Sequence, residues 1–140
     1  MYRPALFITQ AIVILVVAAL HLSAMEWYLY WYFPWLDLLT HFLGGLWIAL
    51  ASAWLLAYVG QKVSAVRIIA LAMFIGVCWE VFEFMAGIPR EANFMFDTSL
   101  DLIMDFCGGV IGFLIARHMV QSDSNGEATQ NNPSEPSRTA

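Results

Sequence analysis

The chain has 140 residues, of which 61% are hydrophobic, 15% aromatic and only 12% charged, with a formal net charge of −5. Soluble domains are about half apolar and about a quarter charged, so a water-soluble core of this size could not hide that much apolar surface. The length suits about four membrane spans of roughly 20 residues each and leaves no room for an appended soluble enzyme domain; six Lys and Arg in total are too few and too scattered for a nucleic-acid footprint, so no nucleic-acid partner is expected.

The first apolar run follows Tyr2-Arg3-Pro4 and covers about residues 5–25. With one basic residue ahead of it and only Val17-Ala18-Ala19 as a small-residue site, it reads as an uncleaved span and not as a signal peptide. Next comes an aromatic stretch, Trp27 to Trp35, with Pro34 near its end. Trp and Tyr prefer headgroup depth, so this stretch reads as an interfacial belt, broken by Pro34 before the next helix. Span two covers about 36–59 and ends at Gly60-Gln61-Lys62. Span three covers about 65–86 and ends at Gly87-Ile88-Pro89-Arg90. Span four covers about 98–120, with Thr98 as its expected N-cap. Residues 121–140, rich in Ser, Asn, Pro and Glu, read as a disordered tail. The expected fold is an all-α integral membrane four-helix bundle over residues 1–120.

Cys78 and Cys107 both fall within apolar runs and read as small buried hydrophobes, with neither a disulfide framework nor a Cys-x-x-Cys knuckle.

Arg3, Lys62, Arg67, Arg117 and Arg138 fall on the side shared by the termini and the span two–three loop, and Arg90 alone falls on the other. The positive-inside rule then puts both termini and the tail in the cytoplasm and turns the aromatic belt and the 87–97 loop outward.

Ionisable residues inside spans are costly and are functional candidates by default. Asp37 and His41 open span two, Glu80 and Glu83 lie in the last two turns of span three, and Asp97, Asp101 and Asp105 run into span four. With this topology all occupy the outer half of the membrane, within roughly 15 Å of its boundary at about 1.5 Å per residue. Their spacings of three and four residues put each set on one helix face. Lipid cannot solvate such stripes, so they should turn inward and meet. Gly44 and Gly45 follow the span-two pair, and Gly108, Gly109 and Gly112 follow the span-four acids; glycines there let helix backbones approach closely. Asp37-Leu-Leu-Thr-His41-Phe-Leu-Gly44-Gly45 also parallels Asp101-Leu-Ile-Met-Asp105-Phe-Cys-Gly108-Gly109. The parallel suggests two repeated helical hairpins related by an axis along the membrane normal.

Six carboxylates at one depth cannot all ionise without counter-charge. Three solutions stay open: some remain protonated, Arg90 and a protonated His41 neutralise others, or a divalent cation sits among them. An oxygen-rich donor set with one imidazole suits Mg²⁺, Mn²⁺ or Ca²⁺, and also Zn²⁺. Two Glu-x-x-His pairs would mark a di-iron bundle, and Glu80-x-x-Glu83 has no such partner.

Three functions follow. In a metal-assisted enzyme acting on a phosphate-containing or lipid-linked envelope substrate, Glu80, Glu83, Asp97, Asp101 and Asp105 would hold the cation. His41, oriented by Asp37, would act as general base or acid, and Arg90 would bind an anionic headgroup. In a cation- or proton-binding module or small transporter, the same groups would be proton or ion steps. The inner half offers little polar lining, with Ser52 amid Trp47, Ile48 and Leu50, so a complete path would require a homo-oligomer or a thinned membrane. In a structural protein the acids would be interhelical hydrogen-bonding groups, meeting Thr40 or Ser99. His21 and Glu26 are expected to reach lipid headgroups.

Asp-x-x-x-His-Phe opening one span, Trp-Glu-x-x-Glu closing the next and Asp-Thr-x-x-Asp-x-x-x-Asp-x-x-Gly opening the last resemble the YjdF-type bacterial inner-membrane family and, more distantly, the VanZ-like proteins. The matching residues are Asp37, His41, Phe42, Trp79, Glu80, Glu83, Asp97, Thr98, Asp101, Asp105, Gly108 and Gly112. The resemblance implies a multi-pass protein of the bacterial cytoplasmic membrane and, through the VanZ-like proteins, a role in glycopeptide tolerance at the cell surface.

Overall fold

The computed structural model describes residues 3–87 and 94–130, with side chains of the last helix described as far as residue 122. The described residues form helices and connecting turns: α1 Pro4–Glu26, α2 Leu29–Tyr32, α3 Trp35–Tyr58, α4 Ala65–Ala86 and α5 Phe94–Gln130. Four of these are long and apolar enough to cross a membrane: α1, α3, α4 and the Phe94–Ser122 part of α5.

Local sequence explains most of the boundaries. Pro4 sits in the first turn of α1, where its missing N–H costs nothing and its fixed φ favours the helix. The aromatic stretch is more than a belt, because it folds into the single turn α2, entered through Tyr28 in a left-handed conformation (φ 55°). Pro34 then stands immediately before α3. Gly87 ends α4 at φ 65°, with its N–H directed at the carbonyls of Glu83 and Phe84; a residue with a Cβ would be strained in that left-handed cap.

The last helix differs from expectation at both ends. It begins at Phe94 and not at Thr98, so Thr98 is an interior residue whose hydroxyl serves another helix. At the far end it runs to Gln130, beyond the expected stop at Val120. The first proline after the span is Pro133, so no proline interrupts the helix in between. Residues 131–140 lie outside the described residues.

The four long helices do not share the core equally. The closest pair is α3 with α5; α4 rests on both, and α1 packs chiefly on α3. Helix α3 buries ten residues, whereas α1 buries only Leu6 and Ala24. The α3–α5 seam depends on missing side chains. A Cβ on Gly45 would strike the Asp105 backbone, one on Gly108 the Phe42 carbonyl, and one on Gly112 would stand 2.6 Å from the Leu46 oxygen. On the α4 side, Gly109 lies against Ala72. Gly44, expected on the same face, has nothing within 4 Å of its Cβ position. Gly44 and Gly108 hold matching places in the two similar segments, yet only Gly108 makes the close approach.

Below the seam's polar end, Leu6, Leu46, Ala49, Leu50, Ala53, Ile68 and Ala116 form the buried apolar cluster. The outward faces carry residues such as Ile12, Leu15, Leu22, Phe74, Met85, Ile103 and Leu114, as a lipid-solvated surface requires. Cys78 and Cys107 are both free and lie on this outer surface instead of in the core. Each falls off the i, i+4 stripe that its helix buries.

Candidate functional site

Three helix ends carry the acids to one place. In α4 the buried residues are Ile68, Ala72, Gly76 and Glu80, an unbroken i, i+4 stripe that ends on the carboxylate. In α5 the buried face runs through Asp101, Asp105, Gly108, Gly112 and Ala116. In α3 it includes Leu36, Thr40, His41 and Gly45. The polar stripes therefore meet in the interior, as their spacing required.

His41 is the hub. Its Nδ1 lies 3.3 Å from Asp105 Oδ2 and its Nε2 3.7 Å from Glu80 Oε1, with all three side chains buried. The hydrogen-bond partner of the imidazole is thus Asp105, across the α3–α5 seam, and not Asp37 one turn earlier on the same helix. Two donor sets share this histidine. Asp37, His41 and Asp101 form one, and His41, Glu80 and Glu83 the other; within each set the ligand atoms lie within 4.8 Å of one another. Neither set includes Asp97, a half-buried residue at the outer edge of the cluster.

Asp101 is the most deeply placed acid, at 2% exposure, and its Oδ1 has no hydrogen-bond partner among the described residues. A buried polar atom left in that state costs free energy on the order of 1–3 kcal/mol, more when charged, so it implies a proton or a ligand. Two of the other carboxylates accept hydrogen bonds from neighbouring side chains. Thr98 Oγ1 donates to Glu80 Oε2 at 2.7 Å, and Trp79 Nε1 donates to Glu83 Oε1 at 2.9 Å. Gly76 makes room for Asp105, since a Cβ there would collide with that carboxylate.

A small aromatic and histidine group lies over the cluster. The Tyr30 hydroxyl is 2.7 Å from His21 Nδ1, and the His21 ring meets Trp79 edge-on at 6.0 Å. Burial, with added repulsion from Asp37 and Glu83, raises the Tyr30 hydroxyl above the ordinary phenol range, although a hydrogen bond with Thr40 acts the other way; Tyr30 therefore stays protonated. Half-buried His21 is thus in contact with both Tyr30 and Trp79. The Thr40 and Ser99 hydroxyls donate within their own helices, to the carbonyls of Asp37 and Met95, and Thr40 also meets the Tyr30 hydroxyl.

Spacing missed Tyr30, Trp79's bond, Gly76 and Thr98 as members of the site. For two of them a signal existed: Gly76 is four residues before Glu80 and Thr98 is three before Asp101, on the same helix faces as the acids. Arg90 lies outside the described residues.

A family model described as "Predicted membrane protein (DUF2238)" matches residues 2–122. The chain belongs to that family. The match takes in all four spans and every described residue of the cluster. No curated protein and no solved structure matches the chain.

Proposed function

We propose that this multi-pass membrane protein binds a divalent cation at the buried carboxylate–histidine cluster. The observation that carries the reading is Asp101 Oδ1, a buried carboxylate oxygen with no hydrogen-bond partner among the described residues, in a donor set with Asp37 and His41. The histidine is arranged as a ligand should be. A metal-binding imidazole usually donates its second N–H to a carboxylate, which fixes the tautomer, and Asp105 is at that position on Nδ1. Nε2 then faces Glu80. An oxygen-rich set with one imidazole suits Mg²⁺, Mn²⁺, Ca²⁺ or Zn²⁺.

Catalysis is the finer reading. A bound divalent cation would polarise a phosphoryl oxygen and lower the pKa of a water, which suits a phosphate-containing or lipid-linked envelope substrate. With Nδ1 held by Asp105, His41 serves better as a ligand than as the base. Asp97 and Glu83, half-buried at the edge of the cluster, are the carboxylates best placed to exchange protons with a substrate. Residues 37–112, which resemble the YjdF-type and VanZ-like proteins, lie inside the family match. Membership of the bacterial cytoplasmic membrane with both termini inside is part of this proposal. It is supported by Arg3, Lys62 and Arg117 gathering at the end opposite the acids.

A second reading has its own support. His41 already bridges Asp105 and Glu80, so a proton shared among these groups could neutralise the cluster with no metal. Metal content and thermal melting of the detergent-purified full chain, with Mg²⁺, Mn²⁺, Ca²⁺ or Zn²⁺ added, separate the two. Stoichiometric metal and a melting point raised by one of these ions in the wild type, but not in Asp101→Asn/Glu83→Gln, is the expected result. No metal and no shift with any of the four would give the cluster to proton binding or to interhelical adhesion.

A further inference from the structure

At the end of the bundle opposite the carboxylates, a cavity of about 620 Å³ opens between the start of α1, the α3–α4 turn and the late turns of α5. Arg3, Lys62 and Arg117 line it, one from each of these regions, and Ala57, Val63 and Phe113 give it an apolar wall. The described lining contains no carboxylate. Arg3 is held in place by an Nη1 bond of 3.1 Å to the Val120 carbonyl, which also ties the beginning of α1 to α5. The chain as a whole carries a net charge of −5, so this basic pocket is a local reversal of sign and not part of a general attraction for anions.

We propose that this cavity binds the phosphate headgroup of an anionic membrane lipid, with the cations on the phosphate and the first acyl carbons against Val63 and Phe113. Three cations brought from distant parts of the chain suit a phosphodiester oxygen set. The apolar wall distinguishes the lipid from a free anion, which would use the charges and gain nothing from the wall. Basic pockets between membrane helices are a recognised physical setting for anionic headgroups. The proposal is independent of what the acidic cluster holds.

The test is a thermal-melting titration of the full chain in neutral detergent. The probes are short-chain phosphatidylglycerol, short-chain phosphatidylcholine and inorganic phosphate. Phosphatidylglycerol should raise the melting point saturably and the other two should not. Lys62→Gln/Arg117→Gln retains the Arg3 bond and should weaken the apparent affinity about 30-fold, at roughly one tenfold step per 1.4 kcal/mol and about 1 kcal/mol per cation. Melting in phosphatidylcholine alone shows whether that variant is folded. An equal response to phosphatidylcholine or to inorganic phosphate overturns the proposal, as does a folded double variant that responds like the wild type.

Discussion

The two ends of the α3–α5 seam use the same close backbone approach for opposite purposes. Toward the acidic end, Gly45 admits the Asp105 backbone, and Gly76 on the neighbouring α4 leaves room for the Asp105 carboxylate. Toward the other end, Gly112 meets Leu46 and Ala49, and the space between helices is filled by Leu50, Ala53, Ile68 and Ala116. Close packing of small and aliphatic residues stabilises the apolar half directly. The acidic half costs free energy unless its charges are paired or neutralised. The bundle is therefore held together at one end and put to use at the other.

That division can be broken most severely at the seam. Gly45→Leu/Gly108→Leu forces two side chains into backbone atoms, each collision costing about 1–3 kcal/mol or more, and should leave no monodisperse folded protein on size-exclusion chromatography. His41→Ala is the next largest. It leaves Asp105 and Glu80 without their shared imidazole, and loss of one partner from a buried charged group costs about 3–5 kcal/mol; the melting point should drop sharply while helix content by circular dichroism persists.

Asp101→Asn sharpens the comparison, because it should separate function from fold. Removing a charge that has an unpartnered oxygen should leave basal melting unchanged or raised, yet abolish the cation response, about 2.7 kcal/mol at a ligand concentration 100 times Kd. Calorimetry with and without the ion reads both quantities. If Asp101→Asn instead melts far below the wild type with no ion present, the acid is part of the packing and the division fails. Thr98→Val is the smallest change. It deletes one interhelical hydrogen bond, worth about 0.6 and at most about 1.7 kcal/mol, and should lower the melting point slightly without altering ion stoichiometry.

Much of this arrangement was legible before any coordinates. Composition alone specified a membrane chain, and the i, i+4 spacing of Asp101 and Asp105 with Gly108 and Gly112 specified the buried face of α5. Chain-internal spacing could not supply partners across helices. It offered Asp37 to His41 because both share a face, whereas crossing geometry delivers Asp105. Nor could it separate Gly44 from Gly45: adjacent helix positions differ by about 100°, and only the direction of approach of α5 decides which one must lack a side chain. Tyr30 and His21 escaped notice for a related reason. An aromatic run reads as an interfacial belt on composition, and the left-handed turn at Tyr28 that redirects it has no Gly, Asn or Asp to announce it.

The pairing of α3 with α5 also has a bearing on biosynthesis. Helix α1 has a hydropathy of 2.4 and can enter the bilayer unaided, while α3, at 1.6, is the least apolar of the four spans. An acidic side chain in an isolated span costs about 2.5–3.5 kcal/mol on insertion at the helix centre and less near the end, where Asp37 lies, and the helix that shelters the α3 polar face is made after the other three. Until the ribosome has delivered α5, Asp37 and His41 have no interior to turn toward. A nascent chain halted between α4 and α5 would hold those groups against lipid or stall with α3 half inserted, and would be a substrate for membrane quality control.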